Sequence, residues 1–412
     1  MNRTPLFVRI VRALFRRYFA FRHTVRREGF EKLPVSGPFL VLSNHVHLLD
    51  PFFISAYSPL HIRWIAGSYL FRMKIVGAIL SHLVTAISKY QGRSDMHMMR
   101  SLTQAFKKGD VVGLFPEATR TWDGEPIEFD QALVKMIRIF KVPVVIMNIE
   151  GGYFLHPRWA YHARKGPVTI SVHSVISPEK LQAMSLEELY GTISTGVGFS
   201  HRRMQEYKPV PYRGKSRAEG CEQILYLEPN PSRPVALSVK GDRIQSLQSD
   251  WVATLNAYDR LEPLQGTCPF PDLAAWRTWE RNELLKLYRE NNFPLFPPDR
   301  GLRLELFIDN SRKFHYTGSF SIQLLREGFL VTAPQSAELV LSAGFSADGQ
   351  TGNSRLFLFS GISSLIVNAK STMEFMYQGE LWRIRLQKGQ PVLKYSDLFA
   401  DVSSLSEGVH HG

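Results

Sequence analysis

Residues 37–51 read GPFLVLSNHVHLLDP, and the change of texture inside this stretch decides the fold. FLVLS is a short, unbroken apolar run of the kind that forms a strand covered on both faces, and it stops at a polar turn before Asp50 and Pro51. Pro fits the first position of a helix because its ring presets φ, and a preceding carboxylate can accept from the free amides. Asp50 therefore reads as an N-cap and Pro51 as the first helical residue. Strand, turn and helix make one unit of an α/β layer. The rhythm continues through PFFISAYS, HIRWIAG, VVGLFPE and VPVVIMNIEG to about residue 166. Within it, the weakly apolar run from 75 to 87, interrupted by Gly77, Ser81 and His82, is too short to span a bilayer and is expected to be buried.

Working outward, the N-terminal flank is basic. Of a formal net charge of +13, residues 1–27 contribute eight arginines and no acid. Pro5 opens a helix whose 4, 3, 4 spacing aligns Phe7, Val11, Leu14 and Tyr18, with Arg9, Arg12 and Arg16 opposite. A basic amphipathic helix of this kind lies in a headgroup region, apolar side in lipid and arginines on phosphate. The plainer alternative is a helix packed on its own domain. Nucleic acid is the other polyanion that such charge invites, but no nucleic-acid-binding motif accompanies it, so none is expected as a partner. The arginines also break any signal-peptide core, and no run of 18 apolar residues occurs.

On the C-terminal side, KPVPYRGKSRAEG reads as a linker, followed by β-like runs ILYLEP and PVALSVKG and a helix over 272–290. LRLELFID, FSIQLL, GFLVTA, AELVLSAG, SRLFLFS and ELWRIRLQ then alternate with period two, marking a β-rich domain. The expected organisation is 1–27 membrane-surface helix, 28–217 α/β domain with a mixed sheet flanked by helices, 218–296 small β segment and connecting helix, and 297–412 β-rich domain. Cys221 and Cys268 are the two cysteines, too few for a disulfide framework or a four-thiolate metal site.

Two runs carry chemistry. His45 and Asp50 stand five apart, a spacing that does not share a helix face, so a turn must bring them together. An imidazole oriented by a carboxylate is a general base near neutrality. The same residues equally admit a capping aspartate and a loop histidine, and a metal site shared with His47 would lack further ligands. The second run, VVGLFPEATRTWDG, is a buried strand that breaks at Pro116 and delivers Glu117, Thr119 and Arg120 at its C-terminal end, where α/β sheets hold ligands. Arg120 offers a planar fork suited to phosphate. Alone, this run is also an ordinary strand exit.

NHVHLLDP resembles the first motif of the glycerolipid acyltransferase family, best known from 1-acylglycerol-3-phosphate acyltransferases, in which Asn-His is followed by four residues and Asp. FPEATRT at 115–121 resembles the third motif, Phe-Pro-Glu-Gly-Thr-Arg, and VPVVIMNI at 142–149 the fourth, a Val-Pro-containing strand. The resemblance covers roughly residues 6–217. It implies His45 as general base, Asp50 as its partner, and a substrate site built from Glu117, Thr119, Arg120 and Pro143. In the second motif, AISKYQGRSD, it implies Lys89 or Arg93 as the basic residue. Ala118 stands where glycine is usual and Ile146 where a second proline is common; alanine tolerates positive φ poorly. The C-terminal region is similar to relatives with extra modules, here without the paired cysteines of a zinc ribbon, and resembles pleckstrin-homology-like folds.

The resemblance implies acyl transfer from acyl-CoA or acyl-carrier protein to a lysophospholipid hydroxyl, most directly 1-acylglycerol 3-phosphate giving phosphatidic acid, with no cofactor and no metal. The expected partners are a membrane lipid surface, the lysophospholipid acceptor and the thioester donor. The expected location is cytoplasmic, peripheral or monotopic at the membrane. The rival expectation is a catalytically silent lipid-binding protein that keeps the fold.

Overall fold

The computed structural model describes residues 6–71, 77–89, 96–229, 231–308, 311–333 and 354–409. Contacts divide the chain into two units. One comprises residues 1–158, 162–215 and 257–259, the other 159–161, 216–256 and 260–412.

The first unit contains α1 (Leu6–Arg22), β1 (Thr24–Glu28), β2 (Phe39–Ser43), α2 (Asp50–Tyr57), β3 (Ile62–Gly67), β4 (Ile87–Lys89), α3 (Met96–Lys107), β5 (Val111–Leu114), α4 (Gln131–Phe140), β6 (Val144–Glu150), β7 (Pro167–Ile176) and α5 (Leu186–Val197). The sheet runs β1-β7-β6-β2-β5-β3-β4. β2 is parallel to β5 and β6, β3 to β5 and β4, while β6 and β7 are antiparallel, so the sheet is mixed. Position in the sheet explains the sequence texture. The central strands β2 and β5 are buried at every residue, β7 alternates, and β1 at the edge is mostly exposed. Alternate side chains feed two apolar layers. Phe39, Val41, Val145 and Met147 meet Phe19 and Phe53, and Leu40, Leu42, Val112 and Val144 meet α3, α4 and α5.

Phe7, Leu14 and Tyr18 of the expected apolar side of α1 are exposed, but the opposite side, with Arg12 and Arg16, packs on α2 instead of pointing at phosphate. Phe15 stacks on Phe52 at 4.4 Å and Phe19 on Phe53 at 3.9 Å. Arg16, expected to point at phosphate, donates from Nε and Nη2 to the Ala56 carbonyl at 3.2 and 2.9 Å, at the C-terminal end of α2 where carbonyls lack helical partners. Arg12 is half-buried beside it, and burial followed by the Arg16 charge lowers its pKa. Leu6, Phe7, Ile10, Leu14, Tyr18 and Phe21 are exposed. The helix has apolar residues on both sides. Charge spacing does not reveal which side packs; the aromatic pairing with α2 decides it.

The run 75–87 is not buried throughout. Ala78, Ile79 and Ser81 are exposed, and Ile87 enters the core as part of β4. Gly77 and Ser81 interrupt the run, so just its last residues form a strand; 75 and 76 lie outside the described residues.

The second unit is described by itself. It holds β8 (Leu227–Glu228) paired with β9 (Arg233–Pro234), and an antiparallel sheet β10 (Leu237–Lys240), β11 (Arg243–Ser246), β12 (Val252–Leu255) and β13 (Leu261–Gln265). Helix α6 (Leu273–Arg289) begins where Asp272 accepts from the Ala275 amide at 2.7 Å. A seven-stranded sheet follows, built from β14 (Asp299–Ile308), β15 (Ser311–Leu324), β16 (Gly328–Thr332), β17 (Ser354–Leu358), β18 (Ile362–Ala369), β19 (Thr372–Tyr377) and β20 (Glu380–Leu386). Its order is β17-β16-β15-β14-β20-β19-β18, and α7 (Leu393–Val409) comes after it. AELVLSAG lies outside the described residues. β19 carries no period-two signal, because TMEFMY is buried at all six positions.

Candidate active site at the strand ends

β2 delivers Asn44 and His45 past its C-terminal end, and the following turn folds back on Asp50. The helix begins one residue earlier than the capping pattern suggests. Leu49 is the N-cap and Asp50 the first helical residue. The Asp50 carboxylate does not cap its own helix. It turns back so that Oδ2 accepts from the amides of Val46 (2.7 Å) and His47 (2.8 Å) and meets His45 Nδ1 at 2.8 Å. Asp50 is 0% exposed. With two amides already on Oδ2, the carboxylate takes Nδ1–H from the imidazole, which leaves Nε2 unprotonated in the neutral ring.

The ring stacks on Phe115 at 4.2 Å and 16°, and Phe115 stacks on Trp64 at 4.7 Å and 9°. Gly113 makes room for this column, since a Cβ there would overlap the Trp64 ring. The His45 side chain keeps 19% exposure. Burial lowers its pKa most; Asp50 opposes this, and the charges of Arg120 and Arg158 reinforce it. A base with a lowered pKa is neutral, and so able to take a proton, at pH 7. His47 is a different case. Its Nδ1 accepts from the Leu49 amide at 3.0 Å, and burial takes its pKa to about 4 despite Asp50. The Nδ1 atoms of both histidines are thus occupied by the turn itself.

The turn after β5 closes on the same histidine from the other side. Glu117 is 6% exposed; its Oε2 accepts from the His45 amide at 2.6 Å and its Oε1 from the Ile127 amide at 3.2 Å. Burial pushes its pKa up to about 8, against the two amides that favour the charged form. Glu117, expected to shape the acceptor site, accepts main-chain amides on both oxygens and so anchors His45. Ala118 takes φ 56°, the left-handed conformation that glycine adopts at no steric cost. The Thr121 amide then donates to the His45 carbonyl at 3.0 Å. Thr119 and Arg120 between them are half-buried.

The remaining expected residues divide. Lys89 ends β4 at the same end of the sheet as His45, but along β2-β5-β3-β4 it is three strands away, roughly 14 Å at ordinary strand spacing. Arg93 lies outside the described residues. Pro143 is at the wrong end: it precedes β6, and its carbonyl accepts from the Leu40 amide at 2.9 Å near the start of β2. Because β6 runs parallel to β2, the far end of that strand reaches the site. Asn44 Oδ1 accepts from the Ile149 amide at 2.8 Å, and Asn44 Nδ2 donates to the Ile149 carbonyl at 3.2 Å.

Two contributors were missed. Asn44 carried a signal, being the first residue of the quoted motif. Arg158 carried none. Its Nη1 donates to Thr119 Oγ1 at 2.8 Å and to the Arg120 carbonyl at 2.9 Å, and its guanidinium lies 3.9 Å from the centre of the Trp122 ring.

Comparison with known proteins bears on this arrangement. Residues 24–150, which include both turns, match the family model described as Acyltransferase. The chain is 26% identical over 168 residues to a chloroplastic 1-acyl-sn-glycerol-3-phosphate acyltransferase of Arabidopsis thaliana, covering 40% of this chain and 47% of the relative. It is 27% identical over 134 residues to the 1-acyl-sn-glycerol-3-phosphate acyltransferase of Helicobacter pylori, covering 31% and 56%. Among solved structures, the 1-acyl-sn-glycerophosphate acyltransferase of Thermotoga maritima aligns with a TM-score of 0.42 at 24% identity, covering 49% of this chain and 79% of that one. The chain spans about half the length of these curated relatives.

Proposed function

We propose that this chain, whose residues 24–150 carry an acyltransferase-family domain, transfers a fatty acyl group from acyl-CoA or acyl-carrier protein to the hydroxyl of a lysophospholipid, with 1-acylglycerol 3-phosphate as the first acceptor to test. The observation that carries the reading is the 2.8 Å contact of His45 Nδ1 with Asp50, which leaves Nε2 as the base. Nε2 takes the acceptor hydroxyl proton as that oxygen attacks the thioester carbonyl. The tetrahedral adduct then collapses, the C–S bond breaks, and the leaving thiolate recovers the proton from Nε2–H. Asp50 holds the tautomer and the ring plane throughout. Arg120 supplies the cation for the acceptor phosphate.

General-base assistance contributes about 10²–10⁴-fold, so His45→Ala is expected to lower kcat on that scale with an unchanged melting temperature. Free CoA release with a panel of lysophospholipids measures it. Near-normal turnover by that variant sinks the assignment, and lipid-dependent stabilisation without thiol release by the wild type favours the silent binder.

The same reading seats the protein on a lipid surface. No helix among the described residues is long and apolar enough to cross a membrane. Support comes from the exposed Leu6, Phe7, Ile10, Leu14, Tyr18 and Phe21 of α1. Leu14→Glu is expected to reduce co-flotation with anionic liposomes; equal flotation would remove α1 from the proposal.

A further inference from the structure

We infer that Arg158 is a positioning residue for the proposed transfer: it fixes the 119–122 turn so that Arg120 meets the acceptor phosphate beside His45. The inference rests on the acyltransferase reading and adds to it a residue that none of the motif resemblances contains.

Arg158 is 7% exposed, so it is not itself presented to a ligand in solution. Its donors go to two consecutive residues, Thr119 through the hydroxyl and Arg120 through the carbonyl, both from Nη1. The guanidinium also lies over Trp122, on the far side of Arg120 in the same turn. Three of the four residues from 119 to 122 are therefore gripped by one side chain that arrives from 38 positions along the chain. The fourth, Thr121, is tied by its amide to the His45 carbonyl, and its hydroxyl donates to Asp123 Oδ1 at 3.0 Å.

The turn needs such a grip. It begins at Ala118, in a left-handed conformation that alanine does not favour, and nothing in the local sequence dictates the direction in which Arg120 leaves it. Burying a cation costs free energy, and an apolar side chain would fill the same volume without that cost. What the apolar side chain lacks is the donors to Thr119 and Arg120. Lysine would keep the charge but lose both the flat face that stacks on indole and the rigid fork of donors. The Arg158 charge also reaches His45, where it adds to that of Arg120 in keeping the imidazole unprotonated.

The test is a double-mutant cycle on the full chain, with acyl-CoA as donor and 1-acylglycerol 3-phosphate as acceptor. Arg158→Met is expected to raise the acceptor KM by about tenfold or more, with kcat less affected, and to move the acid limb of kcat/KM to higher pH. Arg158→Lys is expected to recover little of the loss. In an Arg120→Ala background, Arg158→Met should add less than about twofold, because the group it positions is gone. Independent, multiplying effects of the two substitutions, full rescue by lysine, or an unchanged KM would each overturn the assignment. Should Arg158→Met fail to fold, Arg158→Lys carries the same cycle. If the wild type releases no CoA yet is thermally stabilised by the lipid, the transferase reading alone is lost. The cycle is then read on that stabilisation, and additive shifts overturn the role of Arg158. A wild type that neither turns over nor is stabilised overturns both.

Discussion

The turn after β2 and the turn after β5 meet at His45 and are held in opposite ways. The first is anchored from within: Asp50 gathers the imidazole of residue 45 and the amides of residues 46 and 47, all inside six positions. The second is anchored from outside itself, by Ile127 and His45 on Glu117, by His45 on Thr121, and by Arg158 on Thr119 and Arg120. A self-contained turn keeps its shape wherever the strand and helix around it form. An externally held turn has its shape only when the sheet has already brought β2, β5 and the segment after β6 together. The proposed base thus sits on the self-contained part and the proposed phosphate cation on the dependent part.

Breaking the first turn is expected to have the largest effect. Asp50→Ala leaves two buried amides and the imidazole N–H without their acceptor, each orphaned donor costing about 1–3 kcal/mol. It should lose activity on the His45→Ala scale and, unlike His45→Ala, stability as well; equal denaturant midpoints for the two variants would deny Asp50 its role in shaping the turn.

Glu117 tests the second turn through pH. Its folded pKa is raised from 4.5 to about 8, so the folded protein holds this proton more tightly. The linked stabilisation is fully present below the unfolded value and is lost as pH rises through the folded one. Between about pH 5 and about pH 9 the wild type should lose stability relative to Glu117→Gln, which has no proton to lose. Parallel thermal melts across that range would mean that Glu117 is already ionised and that its two amides outweigh burial.

The smallest effect is expected at Ala118. Ala118→Gly removes the steric cost of φ 56° at an exposed position and should raise stability by roughly 1 kcal/mol while changing kcat by less than about twofold. A drop in melting temperature would show that the strain is not where the dihedral puts it.

These contrasts also explain what could be read in advance. The contact between His45 and Asp50 was legible because its partners are close in sequence and a proline fixes the helix start. Helix α6 was legible for a similar reason, since Asp272 caps it with its own side chain. The role of Glu117 was not, because the His45 amide lies 72 residues away. Pro143 was misplaced because a motif names a strand without saying which of its ends faces the site; the parallel register with β2 does. The arginine side of α1 was misread as meeting phosphate because both of its sides carry apolar residues; Phe15 and Phe19 on that side pack on Phe52 and Phe53, and Arg16 bonds to Ala56.

By itself, the sequence determined the elements: which runs are buried strands, where α6 begins, and that an imidazole and a carboxylate share one turn. Hydrophobic periodicity, caps and short-range hydrogen bonds act over a few residues, and a few residues can be read. The tertiary structure alone decided that the arginine side of α1 packs on α2, which end of β6 reaches the site, and that Arg158 holds the turn carrying Arg120. Those outcomes depend on sheet register and on side chains meeting across tens of positions, quantities that come into existence only when the chain has closed on itself.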